Sequence, residues 1–583
     1  MGALVGFTGP PDRALCSRMA ESVAHRGRGP YVMHESEHAT FAVRAARPDL
    51  ADRLGSAALH ADGDLALAFA GHLTGADFAC ASLADVAARF RARGADCVAE
   101  LRGAFVLAIS DGARLFLVRD GAGVRTLYWG LHAGRLLFAV EPKGVLVAPG
   151  FPRRLRPAAI AQYLSTSFVP GERTMLEDLF ELCPGHRLQL DAPRGEPRIH
   201  RFFVFENETQ AQAERSDEEW VREFQTLFSR AVAERRTPGE PVGVFLSGGL
   251  DSSVVTAELA AQHDARVHTY AIHFGNEYPN ELPFARAVAG RCGTLHQEVH
   301  LRPKDFLPRL RRIIWHLDDP IGDPITVPNF ELAARVSSEV RSVYNGEGGD
   351  PLFGGPKNIP MLLHHWYGGI ERDAGFRARM YLAAYRRSYE EWPRLLTPAW
   401  ASRVSAERDL EGVFSSMFDA EQPGTFLNKL CAINIRTKGG HLILPKVDRM
   451  AGASALVPLA PLFDERLVRL SFHVPPRLKL ETGVEKVLLK RAFVDRLPIQ
   501  VLGRPKSGMR VPVHFWLQGE MKRYARKVLA RRELERAGIF DPDRVARLLA
   551  YDTEEGPGRY GLRLWMLLTF EIWRRIVVEG EPV

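Results

Sequence analysis

Residues 241–260 read PVGVFLSGGLDSSVVTAELA. The apolar run 242–246 has the length and character of a buried strand, and a helix-like stretch follows Ser253. Between them lie Ser247, Gly248, Gly249, Leu250, Asp251, Ser252 and Ser253. Glycines let a backbone approach an anion closely. Successive N–H groups, serine hydroxyls and the N-terminus of the following helix can all donate to phosphate. The lysine of a Gly-x-x-x-x-Gly-Lys-Ser/Thr loop is missing. Asp251 stands at the centre instead. It would repel a bare phosphate and is suited to holding Mg²⁺ against one.

The surroundings set this loop in a parallel α/β sheet. RVHTYAIHF (266–274), ELPFARAVAGRC (281–292) and VRSVYNGEGGD (340–350) alternate strand and helix patterns. Such sheets bind ligands at the carboxyl ends of their strands. A second glycine-rich loop, YNGEGGDPLFGGPKN (344–358), follows one of those strands. Glu347 and Asp350 lie three apart in it, so one can bind metal while the other handles a proton.

Residues 1–200 differ. LALAFAGHL, GAFVLAI, RLFLVRD and GRLLFAV are short apolar runs broken by Gly, Asp and Arg, the signature of an antiparallel sheet or sandwich. The polar stretch 191–220 sets a domain boundary near 205–215. Ser216, followed by Asp217, Glu218 and Glu219, is a helix N-cap signal. The last 200 residues read mostly helical, with KVLLKRAFVDRL and YGLRLWMLLTFEIWRRIVV carrying helical periodicity.

The bulk numbers fit a soluble enzyme. The chain has 583 residues, 46% apolar and 25% charged, enough for two to four domains. No run of about 18 apolar residues predicts a membrane span, and no secretory signal opens the sequence. Six cysteines without metal spacing fit a reducing cytoplasm. The net charge is +7. Its densest stretch, MKRYARKVLARRELERAG (521–538), reads as a solvated helix face, and no nucleic-acid partner is expected.

The first loop resembles the pyrophosphate loop of the ATP pyrophosphatase superfamily. The two loops together resemble the synthetase domain of the class B asparagine synthetase family. KVDRMAGASALVPLAPLFDERLV (446–468), GVEKVLLKRAF (483–493) and GRPKSGMRVPVHFWL (503–517) are similar to family segments in order and spacing. HRGRGP (25–30), LVRDGAGVRTLYW (117–129) and PGHRL (184–188) resemble the family's N-terminal glutaminase-type domain. The resemblance implies an Ntn-type α+β sandwich over 1–205. It implies an α/β ATP-pyrophosphatase domain with a helical C-terminal part over 206–583. ATP and Mg²⁺ are the implied cofactors. Ser247, Gly248, Gly249, Asp251 and Ser252 fall in the implied pyrophosphate loop, and Asp251 and Asp350 match the Mg²⁺ carboxylates. Leu246, Ile272 and Gly346 match positions lining the adenylate. Glu347 matches a proton-transfer glutamate at the amine, and Lys486 a lysine that neutralises phosphate charge as an acyl-adenylate forms.

The departures are as informative. A glutamine-hydrolysing member needs Cys at position 2, whose thiol attacks the amide; this sequence has Gly2 and Ala3. Cys16, the nearest thiol, falls in an apparent first helix. AGHLTG (70–75) stands where the family has two asparagines, so Ala70 and Gly75 forgo an oxyanion donor. The arginine motif that grips glutamine is not recognisable around 43–55. Val457 and Leu459 stand where the resemblance puts a glutamate and an arginine. Adenylation is expected to survive without glutaminase activity.

Relatives with such an inactive domain include lasso-peptide cyclases (macrolactam synthetases) and β-lactam synthetases. The latter carry tyrosine where Glu347 stands. The reading is therefore a macrolactam cyclase, activating an Asp or Glu side chain of a precursor peptide for attack by the peptide's own α-amine. A leader peptidase and a leader-binding protein are the implied partners. An ammonia- or amine-dependent amide ligase, a β-lactam-type synthetase and a non-catalytic binding protein are the alternatives.

Overall fold

A computed structural model describes residues 2–47, 57–74, 82–191, 195–205, 215–355, 361–362, 374–385, 387–407, 410–420, 425–505, 508–551 and 560–583. The runs read as strands in the N-terminal half pair antiparallel into two six-stranded sheets. One is centred on Ala3–Thr8, between Ala39–Arg44 and Arg135–Ala139. The other is centred on Gly103–Ser110, between Leu65–Leu73 and Arg114–Arg119. The strand Gly103–Ser110 is buried along its whole length. Both of its faces are therefore covered, which accounts for its unbroken apolar run.

Ser216 caps the helix Asp217–Ala233. Its hydroxyl accepts from Glu219 N–H, and the Glu219 carboxylate accepts from Ser216 N–H. This reciprocal box satisfies two donors that a helix start leaves open. Beyond it lies a five-stranded parallel sheet. Its order is Leu295–His300, Val267–His273, Val242–Phe245, Ser342–Tyr344, Val457–Leu459. The chain starts near the middle, runs outward through two strands, and returns to the other side. The order reverses between Val242–Phe245 and Ser342–Tyr344, and a crevice opens at such a switch point. Both glycine-rich loops leave the carboxyl ends of these two strands.

Two expectations need correcting. The basic run 521–538 is not one helix. Lys522–Val528 and Arg531–Ala537 are separate helices, and Arg531 and Arg536 pair with acids including Asp543, Glu533 and Glu579. The pairing agrees with a solvated surface. In KVLLKRAFVDRL the helix covers only Val487–Ala492, and Lys486 is its left-handed cap (φ 57°). Helical periodicity cannot register a single residue of reversed backbone sign.

The two halves share a core. One apolar cluster runs from Leu4 and Phe138 in the first half to Trp516 and Trp573 in the second. Among the described residues, no helix is long and apolar enough to cross a membrane.

Candidate active site

The first loop is built as the sequence suggested. Gly248 has φ +79°, and a Cβ there would lie 2.6 Å from Ala285 N; only glycine fits this turn. Ser247 N–H donates to Ser252 Oγ (3.2 Å), and Gly249 N–H donates to Ser247 Oγ (3.3 Å). The helix Leu250–Gln262 starts at the Gly249 cap with Asp251 in its first turn. Ser247, Gly248, Gly249, Asp251 and Ser252 thus form one compact turn on a helix N-terminus.

The second loop docks onto the first with no clearance. A Cβ at Gly346 would lie 2.4 Å from Ser252 N, and one at Gly349 2.1 Å from Asp251 Oδ1. These glycines are what allow the two loops to touch. Asn345, absent from the sequence reading, braces the turn. Its backbone N–H donates to Leu459 O (2.9 Å), and its side-chain oxygen accepts Glu347 N–H (3.1 Å). An asparagine before glycine in a loop is the usual residue for such a turn. Glu347 itself is half-buried.

Lys486 joins the loops. Its Nζ lies 2.5 and 2.7 Å from the two carboxylate oxygens of Asp251 and 2.5 Å from Asp350 Oδ1. The side chain is 1% exposed. A short hairpin, Leu480–Glu481 with Val484–Glu485, delivers it. The hairpin turns through Thr482 and Gly483 at positive φ, and Lys486 N–H closes onto Lys479 O (2.6 Å). A non-glycine residue in left-handed backbone costs about 1–2 kcal/mol. The surrounding structure holds it there, as at a functional position. Two carboxylates converging on one cation are a donor set that also suits a hard divalent ion such as Mg²⁺.

The predicted adenylate positions separate. Ile272 lines a cavity of about 240 Å³ beside Ser247, closed by Asn280, Glu281, Leu282, Met509 and Arg510. Leu246 is buried, and neither it nor Gly346 is on the cavity wall. Gly346 serves the contact between the loops instead. His273, also missed, follows Ile272 on the wall. Burial, then neighbouring His300, holds its imidazole below the ordinary histidine range. Arg504 pairs with Glu281 and lies over the Phe284 ring at 4.1 Å, which ties Arg504 to the wall.

Val457 and Leu459 are core residues, 7% and 5% exposed, in an edge strand paired to Ser342–Tyr344. In the N-terminal half Ala70 is buried within a strand. Burial, with Glu35 and Asp12 nearby, pushes the Cys16 thiol up to about 12, where it is no nucleophile at neutral pH. Gly75, Pro356, Lys357, Asn358 and much of the 43–55 stretch lie outside the described residues.

Comparison with known proteins agrees with this architecture. The family model described as asparagine synthase matches residues 223–575. The model described as a glutamine amidotransferase domain matches residues 1–203. The chain is 26% identical over 512 residues to asparagine synthetase 1 (glutamine-hydrolyzing) of Bacillus subtilis, covering 83% of this chain and 79% of that one. It is 27% identical over 439 residues to asparagine synthetase 3 of the same organism, covering 71% and 68%. It is 22% identical over 527 residues to amidase chry2 of Gibberella zeae, covering 78% and 76%.

Proposed function

The chain belongs to the asparagine synthase family, and on that premise we propose that it closes a peptide ring. It is an ATP-dependent carbon–nitrogen ligase of the asparagine-synthetase type. The finer reading is a macrolactam synthetase. The enzyme adenylates an Asp or Glu side chain of a precursor peptide with loss of pyrophosphate, and the peptide's own α-amine displaces AMP. The convergence of Asp251, Asp350 and Lys486, with Glu347 in the same loop as Asp350, supports the ATP-dependent part of this reading.

Each residue then has a task. Ser247, Gly249 and Ser252 present N–H and O–H groups toward the phosphates at the helix N-terminus. Asp251 and Asp350 would hold Mg²⁺, which supplies charge neutralisation to the phosphate chain when bound. Lys486 places a positive charge where negative charge develops on the phosphates. Glu347 takes the proton that the attacking amine must lose.

An intramolecular amine is favoured over glutamine as nitrogen donor because the N-terminal half lacks glutaminase chemistry. Ala70 replaces an amide donor, and the Cys16 thiol is held protonated. That domain then serves as a platform for the substrate, with a leader peptidase and leader-binding protein as the partners this reading implies. The relatives named asparagine synthetases favour a second reading, an ammonia-dependent amide ligase.

Mass spectrometry of the products separates the two. Loss of one water from a peptide supports cyclisation, and conversion of a carboxylate to an amide by added ammonia supports the second reading. Pyrophosphate release is the parallel assay, and Asp251→Ala is expected to abolish it. Unchanged release in that variant would remove the metal assignment. No release from ATP with any peptide or small carboxylate would leave a binding protein.

A further inference from the structure

The cavity beside the phosphate loop has apolar faces and few polar groups. Ile272, Phe274, Leu282 and Met509 supply flat apolar contact, suited to a heterocycle lying edge-on to a polar wall. The polar side chains on that wall are mostly committed. Asn280 Oδ1 accepts Leu282 N–H (3.2 Å) at the start of a helix. Glu281 is engaged by Arg504. Ser247 Oγ lies 3.1 Å from Ser252 Oγ within the phosphate loop. His273 differs: its Nδ1 is buried and has no hydrogen-bond partner among the described residues. A buried polar atom without a partner is costly unless a ligand completes it. The ring is also held in plane, stacked on His300 with centroids 4.7 Å apart and planes 14° from parallel.

We propose that His273 is a specificity-determining residue for the nucleotide, its imidazole edge hydrogen-bonding the edge of the adenine base while His300 fixes the ring plane. The placement follows from the sheet. Phosphates bind at the end of Val242–Phe245, and His273 ends the adjacent strand Val267–His273. The base therefore lies one strand away from the phosphates. An imidazole held neutral offers one donor and one acceptor, which matches the mixed edge of adenine.

The inference rests on the ATP-dependent ligase reading, and the experiment keeps the two apart. Binding of ATP, GTP and inorganic pyrophosphate to the full-length protein is measured by calorimetry in Mg²⁺. KM and kcat for ATP are then taken from pyrophosphate release. His273→Ala is expected to weaken ATP binding and raise its KM by roughly tenfold, the worth of one hydrogen bond to a buried partner. Pyrophosphate affinity and kcat should stay within twofold, and the preference for ATP over GTP should shrink. His273→Asn, which keeps a donor and an acceptor, should recover most of the ATP affinity, and it tests the idea should the alanine variant unfold. Unchanged ATP affinity in His273→Ala, equal losses for ATP and pyrophosphate, or a folded His273→Asn that loses as much ATP affinity as is expected of His273→Ala, overturns the role of His273. A wild-type protein that binds no ATP overturns the ligase reading and this inference with it.

Discussion

Replacing Lys486 by methionine removes a buried cation and leaves its two carboxylates facing one another. The Lys486 side chain is 1% exposed, against 9% for Asp251 and 29% for Asp350. Deleting one member of a buried ionic cluster typically costs about 3–5 kcal/mol, because the remaining charge stays desolvated. Water reaches part of Asp350, so the lower end applies, about 3 kcal/mol. Mg²⁺ should reverse most of this loss, since the freed carboxylates can take the ion. At a hundredfold excess over its Kd, a ligand bound only by the folded state contributes about 2.7 kcal/mol. Urea unfolding of wild type and Lys486→Met, each with and without MgCl₂, measures both effects. KCl of equal ionic strength is the control for screening. The variant should be destabilised without Mg²⁺ and largely restored with it, while wild type gains less. Pyrophosphate release should fall by about 10²–10³ even in Mg²⁺, in the range for losing a group that stabilises developing charge. A variant losing under about 1 kcal/mol, or Mg²⁺ gains equal in both proteins, would refute the convergence argument.

Gly346→Ala should misplace the second loop, because its Cβ would lie 2.4 Å from Ser252 N. Overpacking of this kind costs about 1–3 kcal/mol, and adenylation should fall more steeply than melting temperature. Glu465 is pushed up to about 8 by burial, far above its unfolded value near 4.3. The folded state therefore binds the extra proton, and this group's contribution is full below about pH 4 and lost as pH rises toward 8. Glu465→Gln should flatten the urea midpoint between pH 5 and 8 relative to wild type; parallel profiles would contradict the assignment. Asp464 has the opposite sign. Burial raises it, but Arg235 and Arg466 prevail and hold it at about 2, so its stabilisation is lost as pH falls from 4 to 2. Native Cys16 should resist iodoacetamide, and Cys16→Ser should leave pyrophosphate release unchanged. Rapid labelling at Cys16 in peptide mapping would contradict its burial.

The crevice that holds the candidate site was legible in the sequence because its two loops are made of local features. A strand, a glycine turn and a helix are contiguous in 242–262, and the second loop repeats the form at 342–353. Each is a strand, a glycine turn and a helix start contiguous in the sequence. Lys486 was legible only through resemblance, and then in the wrong local structure. Its left-handed backbone depends on the Thr482–Gly483 turn and the contact with Lys479, which apolar periodicity around it conceals. Asn345 and His273 escaped for another reason. Their roles arise from neighbours brought together across strands, Leu459 for one and the cavity wall for the other. Val457 and Leu459 show the converse. Residue type flagged them as a change in a charged pair, whereas their structural meaning is an apolar strand in the core.

Long-range charge also gives the N-terminal half a structural role. Arg26 bridges Glu141 and Asp448 at 2.6 Å each, and Arg125 also pairs with Asp448. Lys143 reaches Asp318 at 2.8 Å, and Glu181 meets His441 at 3.0 Å. These side chains are almost fully buried, and apart from Arg26–Glu141 each pair has one member in either half of the chain. A buried charge stripped of its partner within the fold is costly, so removing Arg26 or Lys143 would leave Asp448 or Asp318 short of a buried partner. Asp448 stands nine residues before Val457 and the strand whose Leu459 carbonyl braces Asn345 and, through it, Glu347. The N-terminal half thus supports the synthetase half through ion pairs.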